Sequence, residues 1–417
     1  MSQPYDVIIV GGGLAGLCCA RALQDRHISW LLLEADERLG GRVQTDTVDG
    51  FRLDRGFQVL LSAYPESRAA LDYPALDLKP FYPGAVVRAG GRFFRVGDPF
   101  RHPLDGLRSL TAPIGSLRDK LGIARLRSRV TAGTIEELFQ RPEQHTIDYL
   151  REAGFSDRMI DRFFRPFFGG VFLERDLHTS SRLFEFTFRM FARGDTVVPA
   201  TGMAAIPEQI AADLEPERIR TGTAVKAVRG DGVDLEFGDS LSAKAVVLAV
   251  DGAAAARLRP EIEAGPFRAT TCLYFAADQA PLPDGALILD GDGAGPVNHL
   301  VVMSNVAPAY APEGRHLISV SVMGDPASND AVLEQKVREQ LTGWFGAAVA
   351  DWGHLRIYRV RHALPEPRPA LTQTEGLAEE IAEGLFVCGD HLMAGSIHGA
   401  MRSGREAAEM AAAAVVA

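Results

Sequence analysis

The sequence predicts an α/β fold in which one mostly parallel-sheet domain, assembled from both ends of the chain, carries an inserted α+β region. Three observations carry the prediction. A strand, a glycine turn, a helix and a second strand succeed one another between Tyr5 and Glu34. Another glycine turn ahead of a helix stands at the far end, from Leu385 to Gly404. Between the two lie strand-like runs and helical periodicities that repeat neither end motif.

A chain of 417 residues, at roughly 100 to 200 residues per domain, has room for two or three domains and a sizeable core. Apolar residues make up 47% and charged residues 24%, which excludes wholesale disorder, a collagen repeat or a coiled coil. The 44 Lys and Arg against 54 Asp and Glu leave a net charge of −10, and a surface of that sign repels a phosphate backbone. Nucleic acid is therefore not an expected partner. The four cysteines, Cys18, Cys19, Cys272 and Cys388, fit neither a disulfide framework nor the spacing of a zinc site. A reducing cytoplasm is the expected location, with no metal. The longest apolar stretches fall short of the ~20 residues of a spanning helix, and the first is cut by glycines. Neither a signal peptide nor a transmembrane helix is expected.

The first element is the apolar run Tyr5 to Val10, which stops at Gly11-Gly12-Gly13-Leu14-Ala15-Gly16; Leu17, Ala20 and Leu23 then recur at helical spacing. A second apolar run, Trp30 to Leu33, ends in Glu34, 23 residues after Gly11, and closes a β-α-β unit. Each part has a physical role. Gly11 permits the turn, Gly13 admits a pyrophosphate to the backbone, and Gly16 lets helix and strand approach. Leu14 and Ala15 open a helix whose N-H groups and dipole favour an anion. Glu34 is placed to accept hydrogen bonds from a ribose diol. These residues indicate a Rossmann-like dinucleotide site.

Glu34 is followed by Ala35, Asp36, Glu37, Arg38, Leu39, Gly40, Gly41 and Arg42. This acid, short spacer and R-x-G-G-R resemble the second signature of the flavin amine oxidase superfamily, which includes phytoene desaturases and protoporphyrinogen oxidases. The resemblance implies FAD as cofactor. It implies that Gly40 and Gly41 let the chain pass close to the diphosphate and that Arg42 contacts phosphate or flavin; for Arg38 and Arg42 a solvated loop is the alternative. Asp49-Gly50 is a hairpin signal between Val43 to Val48 and Phe51 to Asp54, and the following Asp54-Arg55-Gly56 is similar to the family's D-x-G near the isoalloxazine ring.

At the far end, Leu385 to Cys388 reads as a buried strand, followed by Gly389-Asp390 and by Gly399-Ala400-Met401-Arg402-Ser403-Gly404 opening an alanine-rich helix. The order resembles the family's last motif. There Asp390 would bond the ribityl or pyrophosphate oxygens, and a helix beginning near Ile397 would aim its N-terminus at the N1 edge of the flavin, where reduction places negative charge. Asp390 is otherwise a turn residue. His398 is either near the ring with a catalytic role or a solvent-facing residue at the helix start. Ser396 stands where amine oxidases of the family often place an aromatic. In the middle of the chain, a strand from Ile219 to Val228, a turn at Gly230 to Gly232 and strands Val233 to Phe237 and Ala245 to Val250 look like the family's β-meander, in which the backbone of Val225 meets the adenine. Pro199 to Met203 resembles its P-x-x-G-M turn.

The expected organisation is an FAD-binding domain from residues 1–75, 196–262 and 371–417, a helical and hairpin substrate region from 76–195, and an antiparallel-sheet substrate domain from 263–370. Residues 100 to 130 carry seven Lys or Arg against Asp105 and Asp119. Such a patch fits a solvated helical face, an anionic substrate or peripheral contact with a membrane. Residues 163 to 191 hold nine of the 22 phenylalanines, which either line an apolar cavity or pack a helical subdomain.

No H-E-x-x-H, G-x-S-x-G or P-loop pattern is present, so the flavin is expected to carry the chemistry. With Ser396 in place of an aromatic, the expected substrate is a large apolar unsaturated or cyclic molecule giving a hydride to flavin N5. An amine oxidase, a flavin-dependent isomerase and an FAD-binding protein without turnover are the alternatives.

Overall fold

The computed structural model describes residues 5–98, 101–102, 112–366, 378–392 and 395–416. Tyr5–Val10 lies at the centre of a parallel sheet, with Trp30–Leu33 and Ile219–Arg220 on one side and Ser240–Leu248 and Leu385–Cys388 on the other. Strands covered on both faces must be apolar throughout. Ile8, Ile9, Leu31, Leu32, Val246 and Val247 are accordingly fully buried. Helices Leu14–Gln24 and Ile397–Val416 pack against each other beside this sheet, so the two ends of the chain form one layer. The α/β class expected from the two glycine turns is the one observed.

Ser240–Leu248 also pairs antiparallel, through its first half, with Gly232–Leu235, which pairs in turn with Val225–Arg229. The single strand expected from Ile219 to Val228 is divided. Ile219–Arg220 joins Trp30–Leu33, the chain turns through Gly222 at φ +59°, and only then does Val225 enter the meander. A run of strand-favouring residues does not show which partner each half will take.

The inserted stretches 76–195 and 263–370 contribute to a single seven-stranded sheet. Its order is Gly353–Pro365, Phe267–Ala277, His316–Met323, Val297–Val302, Leu287–Asp290, Gly84–Ala89 and Arg92–Gly97. All neighbours are antiparallel except Leu287–Asp290, which runs parallel to Gly84–Ala89. One face, with Leu273, Phe275, Ile318 and Val320, packs on Leu333, Val337 and Leu341 of helix Asp330–Phe345. The other, with Tyr274, Val301 and Leu317, packs toward the parallel-sheet domain.

Of the two readings of the phenylalanine-rich stretch, packing accounts for its centre. Phe164, Phe168, Phe172 and Phe184 are buried against one another among helices Leu117–Thr131, Thr146–Glu152, Arg165–Phe172 and Ser181–Arg193. Phe163, Phe167, Phe188 and Phe191 lie half-buried at the edge of that core. The basic stretch is partly internal as well. Arg101 and Arg127 bind Asp98, and Arg129 binds the buried Glu185, which also holds Arg141 and Tyr149. Arg108 and Asp105 lie outside the described residues. Among the described residues, no helix is long and apolar enough to cross a membrane.

Candidate active site

The turn after Tyr5–Val10 is built for close approach. Gly11 has φ +110°, and a Cβ there would lie 2.6 Å from the Ala249 carbonyl oxygen. At Gly13, by contrast, a Cβ would meet nothing within 4 Å among the described residues, and none of their side chains caps helix Leu14–Gln24. The helix that begins with Leu14, Ala15 and Gly16 therefore starts beside open space, with first-turn N-H groups uncapped by any side chain. That is the environment a diphosphate needs.

Glu34 turns back onto this loop, its carboxylate accepting the N-H of Gly12 at 2.6 Å and of Asp36 at 2.8 Å. Ala35 begins the exposed segment that follows. Thr223 N-H donates to the Glu34 carbonyl, and Gly222 N-H to that of Asp36, which brings the chain leading into Val225 alongside the acidic loop. Gly40 N-H donates to the Gly12 carbonyl at 2.8 Å, and a Cβ on Gly41 would lie 3.3 Å from Gly13 Cα. The R-x-G-G-R segment thus lies directly against the first glycine turn.

The two arginines part company. Arg38 is half-exposed and donates to Asp46, a carboxylate that Arg38, Arg55 and Tyr358 together hold well below its usual range despite partial burial. Arg42 donates to Asp390 Oδ1 at 2.5 Å and to the Ala363 carbonyl at 3.0 Å. Burial opposes the Arg42 charge, and Asp390 more than offsets it. Residues 348 positions apart thus form one ion pair. It joins the segment after the first glycine turn to the last motif.

Asp54 is buried and accepts hydrogen bonds from Thr45 Oγ1, Met203 N-H and Tyr310 Oη, while its carbonyl accepts from Tyr274 Oη. Burial pushes its pKa up to about 6, against the pull of those donors. The P-x-x-G-M turn and the second sheet together hold this D-x-G turn. Gly56 follows at φ +94°, with Val360 and Thr270 of the second sheet in ordinary contact distance of its Cβ position. Gln58, which the sequence reading passed over, donates to the carbonyls of Arg42 and Arg55. A polar residue two positions beyond Gly56 was the signal available.

At the far end, Gly389 N-H donates to Ser403 Oγ at 2.9 Å. Cys388 is wholly buried, and burial pushes its thiol up to about 12. Ser396 Oγ accepts the Gly399 N-H and its carbonyl the Ala400 N-H, so Ser396 is the N-cap of Ile397–Val416, a role the sequence reading did not assign. His398 is not solvent-facing. It is 2% exposed, stacked on Tyr64 at 5.3 Å and against Phe186 at 5.6 Å, with neither ring nitrogen hydrogen-bonded among the described residues. Burial pushes its pKa down to about 4, so the ring is neutral.

The model of the family described as flavin containing amine oxidoreductase matches residues 14–411. The chain belongs to that family. FAD is accordingly the cofactor. Among its relatives, the carotenoid phi-ring synthase of Streptomyces griseus is 28% identical over 340 residues, covering 71% of this chain. The match spans 64% of that relative's own length. The coproporphyrinogen III oxidase of Propionibacterium freudenreichii is 27% identical, covering 76% of this chain and 72% of its own. In fold the chain is similar to the cyclohexylamine oxidase of Brevibacterium oxydans, with TM-score 0.70 at 16% identity over 99% of each chain.

Proposed function

We propose that this flavoprotein oxidises a large apolar unsaturated or cyclic molecule, a desaturase or dehydrogenase type of reaction for which bound FAD would supply the two-electron acceptor and oxygen or another acceptor would complete the cycle. One observation carries the reading: the phenylalanine-rich helix and the D-x-G turn are separated by a single imidazole. His299 touches Phe57, the residue after Gly56, on one side and Gly170 of helix Arg165–Phe172 on the other. Phe57 also packs edge-on to Phe81. Helix Arg165–Phe172 thus lies across the imidazole from Phe57, and an apolar substrate held there would find aromatic surface on both sides.

FAD supplies the two-electron chemistry when bound. The chain's own residues would hold and orient it: Glu34 for the ribose, the Leu14 helix start for the diphosphate, and Arg42 with Asp390 at the junction of the two motifs. The N-terminus of Ile397–Val416 favours negative charge beside it. Ser396 caps a helix and has no ring to contribute, which removes one half of an aromatic amine cage. A relative named for a carotenoid supports the apolar unsaturated reading, and one named for coproporphyrinogen III supports a large cyclic substrate. Anaerobic mixing with polyenes, tetrapyrroles and small amines tests it. Bleaching of the oxidised flavin band by a large apolar compound is expected; bleaching by small amines alone would replace this reading with amine oxidation.

A further inference from the structure

His299 is 5% exposed and lies on the strand Val297–Val302, where the pairing slips by one residue between Val297 and His299. Its tautomer follows from its neighbour. Asn298 Nδ2 donates to the Pro166 carbonyl at 2.9 Å, a group that only accepts, which identifies this end of the amide as nitrogen. The same Nδ2 lies 3.0 Å from His299 Nδ1, so Nδ1 accepts its second hydrogen. In a neutral imidazole the ring proton then sits on Nε2. The ring is neutral, because burial lowers its pKa to about 4.

His299 Nε2–H is therefore a donor shut away from water, with no hydrogen-bond acceptor among the described residues. Phe57, edge to face at 5.0 Å, offers at most an aromatic contact, which is weaker than a bond to oxygen. Across the neighbouring strands Ser321 stands opposite His299, and Cys272 opposite Ser321, all buried. These side chains are neutral.

We propose that His299 Nε2–H holds an oxygen acceptor carried by the substrate, a carbonyl or hydroxyl oxygen on an otherwise apolar molecule. This rests on the reading of the flavin-side junction as a substrate site and deepens it: the substrate is oxygenated, not a plain hydrocarbon. A buried donor with no acceptor of its own selects between two molecules of the same shape that differ only in an acceptor.

The test uses FAD-loaded protein and two probes of similar shape, 4-phenylcyclohexanone and phenylcyclohexane, with binding measured by equilibrium dialysis. Wild type is expected to prefer the ketone by about tenfold. His299→Gln, which keeps an N-H donor, retains the preference; His299→Phe abolishes it. Nitrogen NMR of the wild-type histidines gives a measurement that does not depend on the variants folding, with an Nε2-protonated ring whose shift moves on adding the ketone. A preference that survives His299→Phe, equal binding of both probes by wild type, or binding of neither overturns the proposal. Failure of every apolar compound to bleach the flavin overturns the proposed reaction instead, since dialysis requires no turnover.

Discussion

Replacing Gly404 by alanine, with Gly13→Ala as its partner, separates the two ways in which glycine serves this site. A Cβ on Gly404 would lie 2.0 Å from the Ala15 carbonyl oxygen, with the Ala15 carbonyl carbon and Cα at 2.7 and 2.9 Å. Ordinary contact begins near 3.4 Å, so helices Leu14–Gln24 and Ile397–Val416 would have to separate by more than 1 Å at their closest point. All three atoms are backbone, and no side-chain rotation relieves the clash. The cost is at least the ~1–3 kcal/mol of an overpacked core, and the separation moves the starts of both helices, where the FAD is proposed to bind. At Gly13 a Cβ meets nothing within 4 Å and the backbone is extended at φ −75°, so the apoprotein should keep its stability to within about 0.5 kcal/mol while the added methyl occupies space meant for the diphosphate. Thermal unfolding of both apoproteins and titration with FAD read the outcome. Gly404→Ala should melt lower and bind FAD less tightly; Gly13→Ala should melt as wild type and lose affinity alone. A Gly404→Ala protein indistinguishable from wild type, or a Gly13→Ala protein with unchanged affinity, would refute the geometry on which the cradle is argued.

The purified protein should be yellow and release its flavin into the supernatant on heating, because the thiol of Cys388 is packed inside the core and closed to a covalent link; flavin remaining with the precipitate would contradict this. Glu34→Ala should weaken FAD binding about tenfold to a hundredfold, since each charge-assisted bond contributes roughly 1.5–3 kcal/mol, and Glu34→Gln should lose less; equal affinities in a flavin titration would make Glu34 a loop support only. Stability should fall on acidification below pH 6.5. His299 and His398 have folded pKa values depressed from 6.5 to about 4, so their contribution, up to about 3 kcal/mol each, is present above 6.5 and lost as pH falls toward 4. Asp54, raised from 3.8 to about 6, acts oppositely: its contribution is present below 3.8 and lost as pH rises through 6, which offsets about one histidine. His299→Phe should therefore flatten the apoprotein's stability profile between pH 6.5 and 4.5 in urea unfolding, and an unchanged slope would count against the burial argument. If the reaction is an oxidation that uses oxygen, hydrogen peroxide should form in step with product; product without net redox change would point to an isomerase.

The cofactor end of this protein was legible in the sequence because its determinants are local. A strand that stops at Gly11, a helix that starts at Leu14, Glu34 at the close of the β-α-β unit and the glycines at 40, 41 and 389 each carry their physical role within a few neighbours, and their order along the chain announces one site. The Asp49-Gly50 turn is as direct, with both residues in the left-handed region at φ +49° and +80°. What depends on pairing across hundreds of residues was not legible. Arg42 meeting Asp390, Gly84–Ala89 joining Leu287–Asp290, and Asp54 bonding Tyr310 are contacts between segments with no shared pattern, selected by how two sheets and their helices bury surface together. Asn298 and His299 look like ordinary strand residues until a one-residue slip in register and the approach of Gly170 seal the imidazole from water with its Nε2–H unmet. Sequence alone determined which cofactor this chain holds. Tertiary packing decided which neutral side chains are sealed from water, because burial and the loss of water as a partner are properties of the assembled interior and not of any one segment.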